Sequence, residues 1–267
     1  MRTVLIALAG LLAGLLGEVI RRMIRQARII RKQLDAYRRG EYEGQLRIIE
    51  GFRANGSEPP EYLFFRGSTL LELGALEEAE KCLRRSLGVE QAAIFKALTE
   101  DELGLVLLEQ ARYDEAIAAF ENALLNAPGR GGPHRGIASA LLRQERQAGD
   151  ALRRARTAVE LDEAARKSAR EDYDLNLAES LAVFAWAVAA YGADEERVDQ
   201  LLERSFTLCP TTTRPIRAEI HYHAARAYSA LGRVEEREAQ LAWAAEVDPN
   251  GNFGRLAAAE LQKTAKM

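Results

Sequence analysis

Three histidines, two cysteines and one glycine-rich loop are the parts of this chain with the most chemical promise. His221 and His223 stand two positions apart. On a helix that spacing sends them to different faces, so they do not form a metal-binding pair. Neither they nor His134 has a ligand at metal-binding spacing. Cys82 and Cys209 lie far apart beside apolar residues, with no Cys-x-x-Cys pair, and both read as reduced, packed thiols. Gly129-Arg130-Gly131-Gly132-Pro133 lacks the Gly-Lys-Ser/Thr that would cradle a phosphate, and it reads as a turn. Arginines 143, 146, 153, 154 and 156 could meet a phosphate backbone. With no interleaved aromatics and an acidic chain around them, they read as a solvated face, and no nucleic-acid partner is expected. No acid–base pair or activated nucleophile is assembled. The expectation is a chain that is not an enzyme and carries no cofactor or metal.

The elements that position these residues are more informative. Leu103-Gly104, Leu107, Tyr113, Ala116, Phe120, Ala123 and Pro128 place large and small apolar residues at helical spacing in two segments. Gln110-Ala111-Arg112 forms a turn between them. Similar turns begin at Gly40, Gly74, Gly149, Gly192 and Gly232, the one at Gly149 being degenerate. Gly40 and Gly74 are 34 residues apart, and Gly74 and Ala111 are 37 apart. A small residue such as Ala79 or Ala116 suits the contact between paired helices. Leu83 or Phe120, four positions on, fills the gap towards the next pair, and Pro128 and Pro249 stop the second helices. One such hairpin buries too little alone, so several must stack.

On these residues, 37–250 resembles a tetratricopeptide-repeat array of about six units. The resemblance implies an all-α superhelix of helical hairpins, a binding surface rather than a catalytic centre. The third and fifth turns are 81 residues apart, more than two periods, and the excess around Asp162–Asp174 reads as a longer first helix in the fifth unit. Residues 251–267 read as an amphipathic capping helix.

Residues 1–20 contain an apolar run, Thr3–Ile20, broken only by Glu18. As a helix its 18 residues span about 27 Å, close to the hydrocarbon thickness of a bilayer. Residues 21–39 follow with eight bases and one acid, net +7. Since the chain carries −3 and its first twenty residues are neutral, residues 40–267 carry −10. The positive-inside rule puts the array in the cytoplasm, behind a single-pass anchor in a bacterial inner membrane, with the basic helix against anionic lipid. A cleaved signal would need a small-residue site after the run, and Gly17-Glu18-Val19 is a poor one. A buried soluble helix is the other alternative. Ala7, Gly10, Gly14 and Gly17 share a face that would permit close helix packing and a homo-oligomer. The domains are therefore an anchor at 1–20, a basic juxtamembrane helix at 21–39, the array at 40–250 and a cap at 251–267. This order is similar to the lipopolysaccharide assembly protein B family, but the zinc module of that family has no counterpart in Gln262–Met267.

In the repeat family, first helices line the concave face. Aligning the units places Phe64, Ser68, Leu71, Asp101, Leu105, Leu108, Arg143, Val183, Ala187, Tyr222 and Arg226 there. The lysine–asparagine set with which some members hold a C-terminal carboxylate is missing. The groove reads as apolar at its centre with polar ends, suited to a helical or extended protein segment. The expected function is a membrane-anchored scaffold or adaptor for an unidentified protein or peptide. The alternative is a membrane protein whose repeats and span mainly build an oligomer.

Overall fold

The computed structural model describes residues 23–25, 27–53, 58–89, 91–168, 173–192, 194–209 and 213–264. The expected span Thr3–Ile20, with Ala7, Gly10, Gly14 and Gly17, lies outside them. Every regular element among the described residues is helical. A first helix, α1, covers residues 27–38. It is followed by α2 (Tyr42–Ile49), α3 (Pro60–Glu72), α4 (Leu76–Leu87), α5 (Ala93–Glu109) and α6 (Tyr113–Asn126). Next come α7 (Gly131–Arg143), α8 (Ala148–Ser168), α9 (Tyr173–Gly192), α10 (Glu195–Leu208), α11 (Arg214–Ala230), α12 (Val234–Val247) and α13 (Asn252–Thr264). Six hairpins, α1/α2 to α11/α12, stack in chain order, and α13 packs on α11 and α12.

One backbone device closes most hairpins. Gly40, Gly74, Ala111 and Gly232 all have φ between +58° and +75°. Around Gly74, its own N–H donates to the Leu71 carbonyl and the Ala75 N–H to the Leu70 carbonyl, both at 2.9 Å. This paired bonding stops a helix with a left-handed residue just past its end. The same pair recurs around Ala111 and Gly232. The fourth turn is placed differently from its sequence expectation: Glu145 and Gln147 take positive φ, while Gly149 lies inside α8. The sequence misleads here because no glycine marks the left-handed position. Gly131–Pro133, expected as a turn, form the first turn of α7, where proline costs no hydrogen bond.

Packing follows the large–small pattern. Phe120 is fully buried, and a Cβ on either Gly104 of α5 or Gly136 of α7 would collide with its ring. A single phenylalanine thus locks its own hairpin to the next unit. Leu83 fills the same role against Gly67. The extra residues between the third and fifth turns extend both α8 (21 residues) and α9 (20 residues), rather than α9 alone. Helix α9 packs against α7, α8, α10 and α11. Its segment Asp174–Gly192 is long and apolar enough to cross a membrane by composition, but it is 67% buried within the array. Its apolarity is explained by that central position.

The array does not end as an open spiral. The Tyr42 hydroxyl donates to the buried Asp248 carboxylate, 206 residues away. Glu72 at the end of α3 accepts the Asn252 N–H at 3.0 Å, and its carbonyl accepts from Arg255 of α13. These bonds join the first two hairpins to the last, so the concave face becomes the wall of a partly closed cavity, here called the channel.

Candidate functional site

The first helices α3, α5, α7, α9 and α11 each turn one face onto this channel. On α5 the lining positions are 98, 101, 102, 105, 108 and 109, the three- and four-residue spacing of a single helix face. Ser68, Leu71 and Glu72 come from α3; Arg135, Ser139 and Arg143 from α7; Glu179 from α9; Glu219 and His223 from α11. Tyr37 of α1 and Phe253 of α13 close one side. The cavity holds about 230 Å³.

The wall carries six carboxyl groups (Glu72, Asp101, Glu102, Glu109, Glu179 and Glu219) against three guanidiniums, Arg130, Arg135 and Arg143. Arg135 pairs with Glu179 at 2.6 Å and Arg143 with Glu109 at 2.8 Å. Arg130 reaches Asp101 at 3.4 Å. Among the described residues the carboxylates of Glu72, Glu102 and Glu219 form no such ion pair with an arginine. Glu72 accepts from Tyr37 at 3.4 Å as well as from Asn252, and Glu102 is bonded by Ser68. Burial pushes Glu72 up to about 7, with Asp248 adding to the rise and the Asn252 N–H and Arg255 opposing it. Glu102 is pushed up to about 8 by burial, helped by Asp101 and Glu72. Burial also raises Glu179 and Glu219 against the pull of Arg135. Burial works against the Arg135 cation, yet the carboxylates of Glu179 and Glu219 hold it charged. His223 is held neutral, first by burial and then by Arg143, Arg135 and Arg226.

The two histidines separate as their spacing implies. His221 sits between Phe206 and Trp243, its Nδ1 2.5 Å from the Gln240 side-chain oxygen. Burial pushes its pKa down to about 4. His223 faces the channel, stacked on Trp186 with ring centroids 6.0 Å apart. Cys82 is buried, and Cys209 partly so. Both are free thiols with pKa values raised by burial.

Of the groove positions read from the sequence, Ser68, Leu71, Asp101, Leu105, Leu108 and Arg143 come together on the channel. Val183 and Ala187 are fully buried in the main core between neighbouring helices. Phe64 packs on Phe65 and Phe95, each ring 5.2 Å away. Tyr222 is buried and its hydroxyl donates to Glu260 of α13 at 2.8 Å. Arg226 lies at a second, open concavity of about 360 Å³ where α7, α9 and α11 end, beside Leu142, Arg146, Trp186, Ala190 and Ser229. There its guanidinium covers the Trp186 ring at 5.3 Å.

The expected apolar centre is instead the most charged part of the wall. Sequence reasoning does not single out Glu102, Arg135, Glu179, Glu219 or His223 as site residues. A periodic signal is present in part: Glu72, Glu109 and Arg143 fall 37 and 34 residues apart, at the same place in successive units. The closing contribution of Tyr37, Asn252 and Phe253 comes from across the seam and has no sequence signal. Arg143, read on sequence both among the surface arginines and as a groove position, belongs to the channel; Arg153 and Arg154 lie outside it, beside Asp150 and Glu121. Among the described residues no three His, Cys, Asp or Glu side chains converge as metal ligands.

Residues 60–92 and 102–129 match the family model for the tetratricopeptide repeat. No curated protein sequence matches the chain. Among solved structures, TTC0263, a thermophilic TPR protein in Thermus thermophilus, superposes with a TM-score of 0.52 at 18% identity. That match covers 76% of this chain and 98% of that one. The MamA fragment 41-end from Desulfovibrio magneticus RS-1 is more distant, at TM-score 0.47 and 17% identity over 69% of this chain and 94% of that chain.

Proposed function

Because this chain carries tetratricopeptide repeats on an all-helical superhelical fold, we propose that it is a membrane-anchored scaffold that binds protein partners through the inner face of its array. The array faces the cytoplasm of a bacterial cell and the span at 1–20 holds it at the inner membrane. The observation that carries the binding role is the open concavity at the ends of α7, α9 and α11. It is lined by Arg226, a residue type that dominates protein interfaces when set in a pocket, over the buried Trp186 ring. The membrane reading rests on charge. The basic helix also exposes Met23, Ile30 and Leu34, while Gln33 and Ala36 face the array. An apolar stripe among arginines suits a helix lying in the headgroup region.

The test uses full-length protein solubilised from membranes. Ala190 is exposed at the rim of the concavity, so Ala190→Arg should block it without touching the core. Capture of specific partners should be lost while the melting temperature is unchanged; unchanged capture sinks the binding role. Deleting residues 1–20 should release the protein under a high-salt wash, and retention after that wash sinks the anchor.

A further inference from the structure

The channel is smaller and more closed than the concavity at the helix ends. At about 230 Å³ it is smaller than the roughly 300–1,000 Å³ of sites for drug-sized ligands, and it suits one small polar molecule. Its wall contains polar atoms with no partner. His223 is 3% exposed, and its Nδ1 has no hydrogen bond. That Nδ1 lies 3.9 Å from Glu219 Oε1, too far for a bond between them. In the tautomer that carries its proton on Nε2, the Nδ1 and the carboxylate are two acceptors at a separation that suits one shared donor. An ammonium group, with three N–H donors, can serve both the neutral imidazole lone pair and the carboxylate. Nearby, Arg135 spends one face on Glu179 at 2.6 Å, while its buried Nη1 is unpartnered. A buried guanidinium N–H in that state calls for an acceptor, and a carboxylate gives it the strongest bond. Arg135 and Glu219 line the same cavity, so the two demands arise in one space.

An ammonium beside a carboxylate is the head group of an α-amino acid. The other wall acids select the rest of the molecule. Among the described residues the Glu72 and Glu102 carboxylates form no arginine ion pair, although Arg255 bonds the Glu72 carbonyl, and both face the same space; a cation entering there favours their ionised form. The acids are not gathered tightly enough to chelate a metal. They are spread around a space that an organic cation would fill. We propose that the channel is a binding site for a free basic amino acid, its ammonium held by Glu219 and His223, its carboxylate by Arg135, and its cationic side chain by Glu72 and Glu102. This reading stands independently of the scaffold role, which uses the open concavity.

Calorimetric titration of the full chain in detergent tests the proposal, with L-arginine and L-lysine as probes. Putrescine, which lacks the carboxylate, and L-glutamate, which reverses the side-chain charge, are the comparisons. Saturable 1:1 binding of L-arginine or L-lysine is expected, with putrescine and L-glutamate each at least about tenfold weaker. Glu219→Gln keeps the shape and removes the charge, and it should weaken binding about tenfold or more. Glu102→Gln provides a second variant should the first fail to fold, and Glu121→Gln, outside the channel, should bind as the wild type. The absence of saturable heat with either basic amino acid up to about 10 mM overturns the proposal. So does putrescine binding as tightly as L-arginine, or binding that survives in a folded Glu219→Gln or Glu102→Gln variant.

Discussion

Arginine–carboxylate pairs occur on both the outside and the inside of this array, and the two sets do different work. Outside, Arg112 and Arg233 each sit one residue past a left-handed turn. Arg112 bonds Glu115 in its own helix at 2.6 Å and Glu80 of the preceding unit at 2.7 Å. Arg233 repeats the arrangement with Glu236 and Asp199, both at 2.8 Å. The rung is periodic because the repeat is periodic, and both ends remain partly in water. Inside, Arg135–Glu179 and Arg143–Glu109 are as short, but the glutamate side chains are only 7% exposed. A surface pair gains little because water competes for both charges. A buried pair also gains little in net terms, yet breaking one side strands a charge that water cannot reach. Similar geometry thus gives a dispensable tie outside and an obligatory one inside.

The largest expected effect comes from breaking the inner set. Arg135→Met leaves Glu179 buried without its partner and should cost about 3–5 kcal/mol in denaturant unfolding. Removing both charges, as Arg135→Met with Glu179→Leu, should restore a substantial part of that loss. If the double variant is as unstable as the single, the stranded charge is not the cause and the contrast between inside and outside fails.

The second effect is a pH dependence confined to the inner acids. Burial pushes Glu72 up to about 7 and Glu102 up to about 8 in the folded chain, against roughly 4.3 for an unfolded glutamate. Between those limits the folded state holds more protons than the unfolded state, so this contribution to stability is fully present below about pH 4 and is lost as pH rises to 8. The difference in stability between wild type and Glu102→Gln should therefore shift by a few kcal/mol from pH 5 to pH 9, with the wild type losing ground. Melting curves across that range measure it. A constant difference would place Glu102 in contact with water.

How legible these two sets are differs for a physical reason. The outer rungs, the Phe120 lock and the hairpin turns depend on residues close in sequence or one period apart, so periodicity exposes them. The fourth turn escapes because its left-handed positions carry Glu145 and Gln147 instead of glycine. The channel escapes more completely. Val183 and Ala187 look like groove residues by alignment, but neighbouring helices close over both and bury them in the core. Glu179 and Glu219 look like surface acids until five helices curve round them. The curvature and the seam are sums of small rotations between units, and no single residue encodes them.

The seam supplies a third, smaller test. Tyr42→Phe removes the hydroxyl that bonds Asp248 and leaves that carboxylate short of a donor. The loss should be about 1–3 kcal/mol. The Gly251 N–H still supports Asp248, which places the effect below that of Arg135→Met. Hydrogen exchange should show faster opening of α2 and α13 together. Faster exchange in α2 alone would mean that the two ends are not coupled.

The smallest effect belongs to the outer rung. Arg233→Ala removes the bonds to Asp199 and Glu236 and the guanidinium stacked 4.6 Å over Tyr228. Its partners are then free to turn to water, since their side chains are already 49% and 44% exposed. No charge is stranded, so the cost should stay within about 1 kcal/mol and shrink further at high salt. The same salt should leave the cost of Arg135→Met almost unchanged, because mobile ions screen buried charges poorly. Measuring both variants at low and high ionic strength therefore separates the two sets by their response to salt, without depending on the absolute size of either loss. A salt-insensitive cost at Arg233 would show that its contribution is packing against Tyr228 rather than charge.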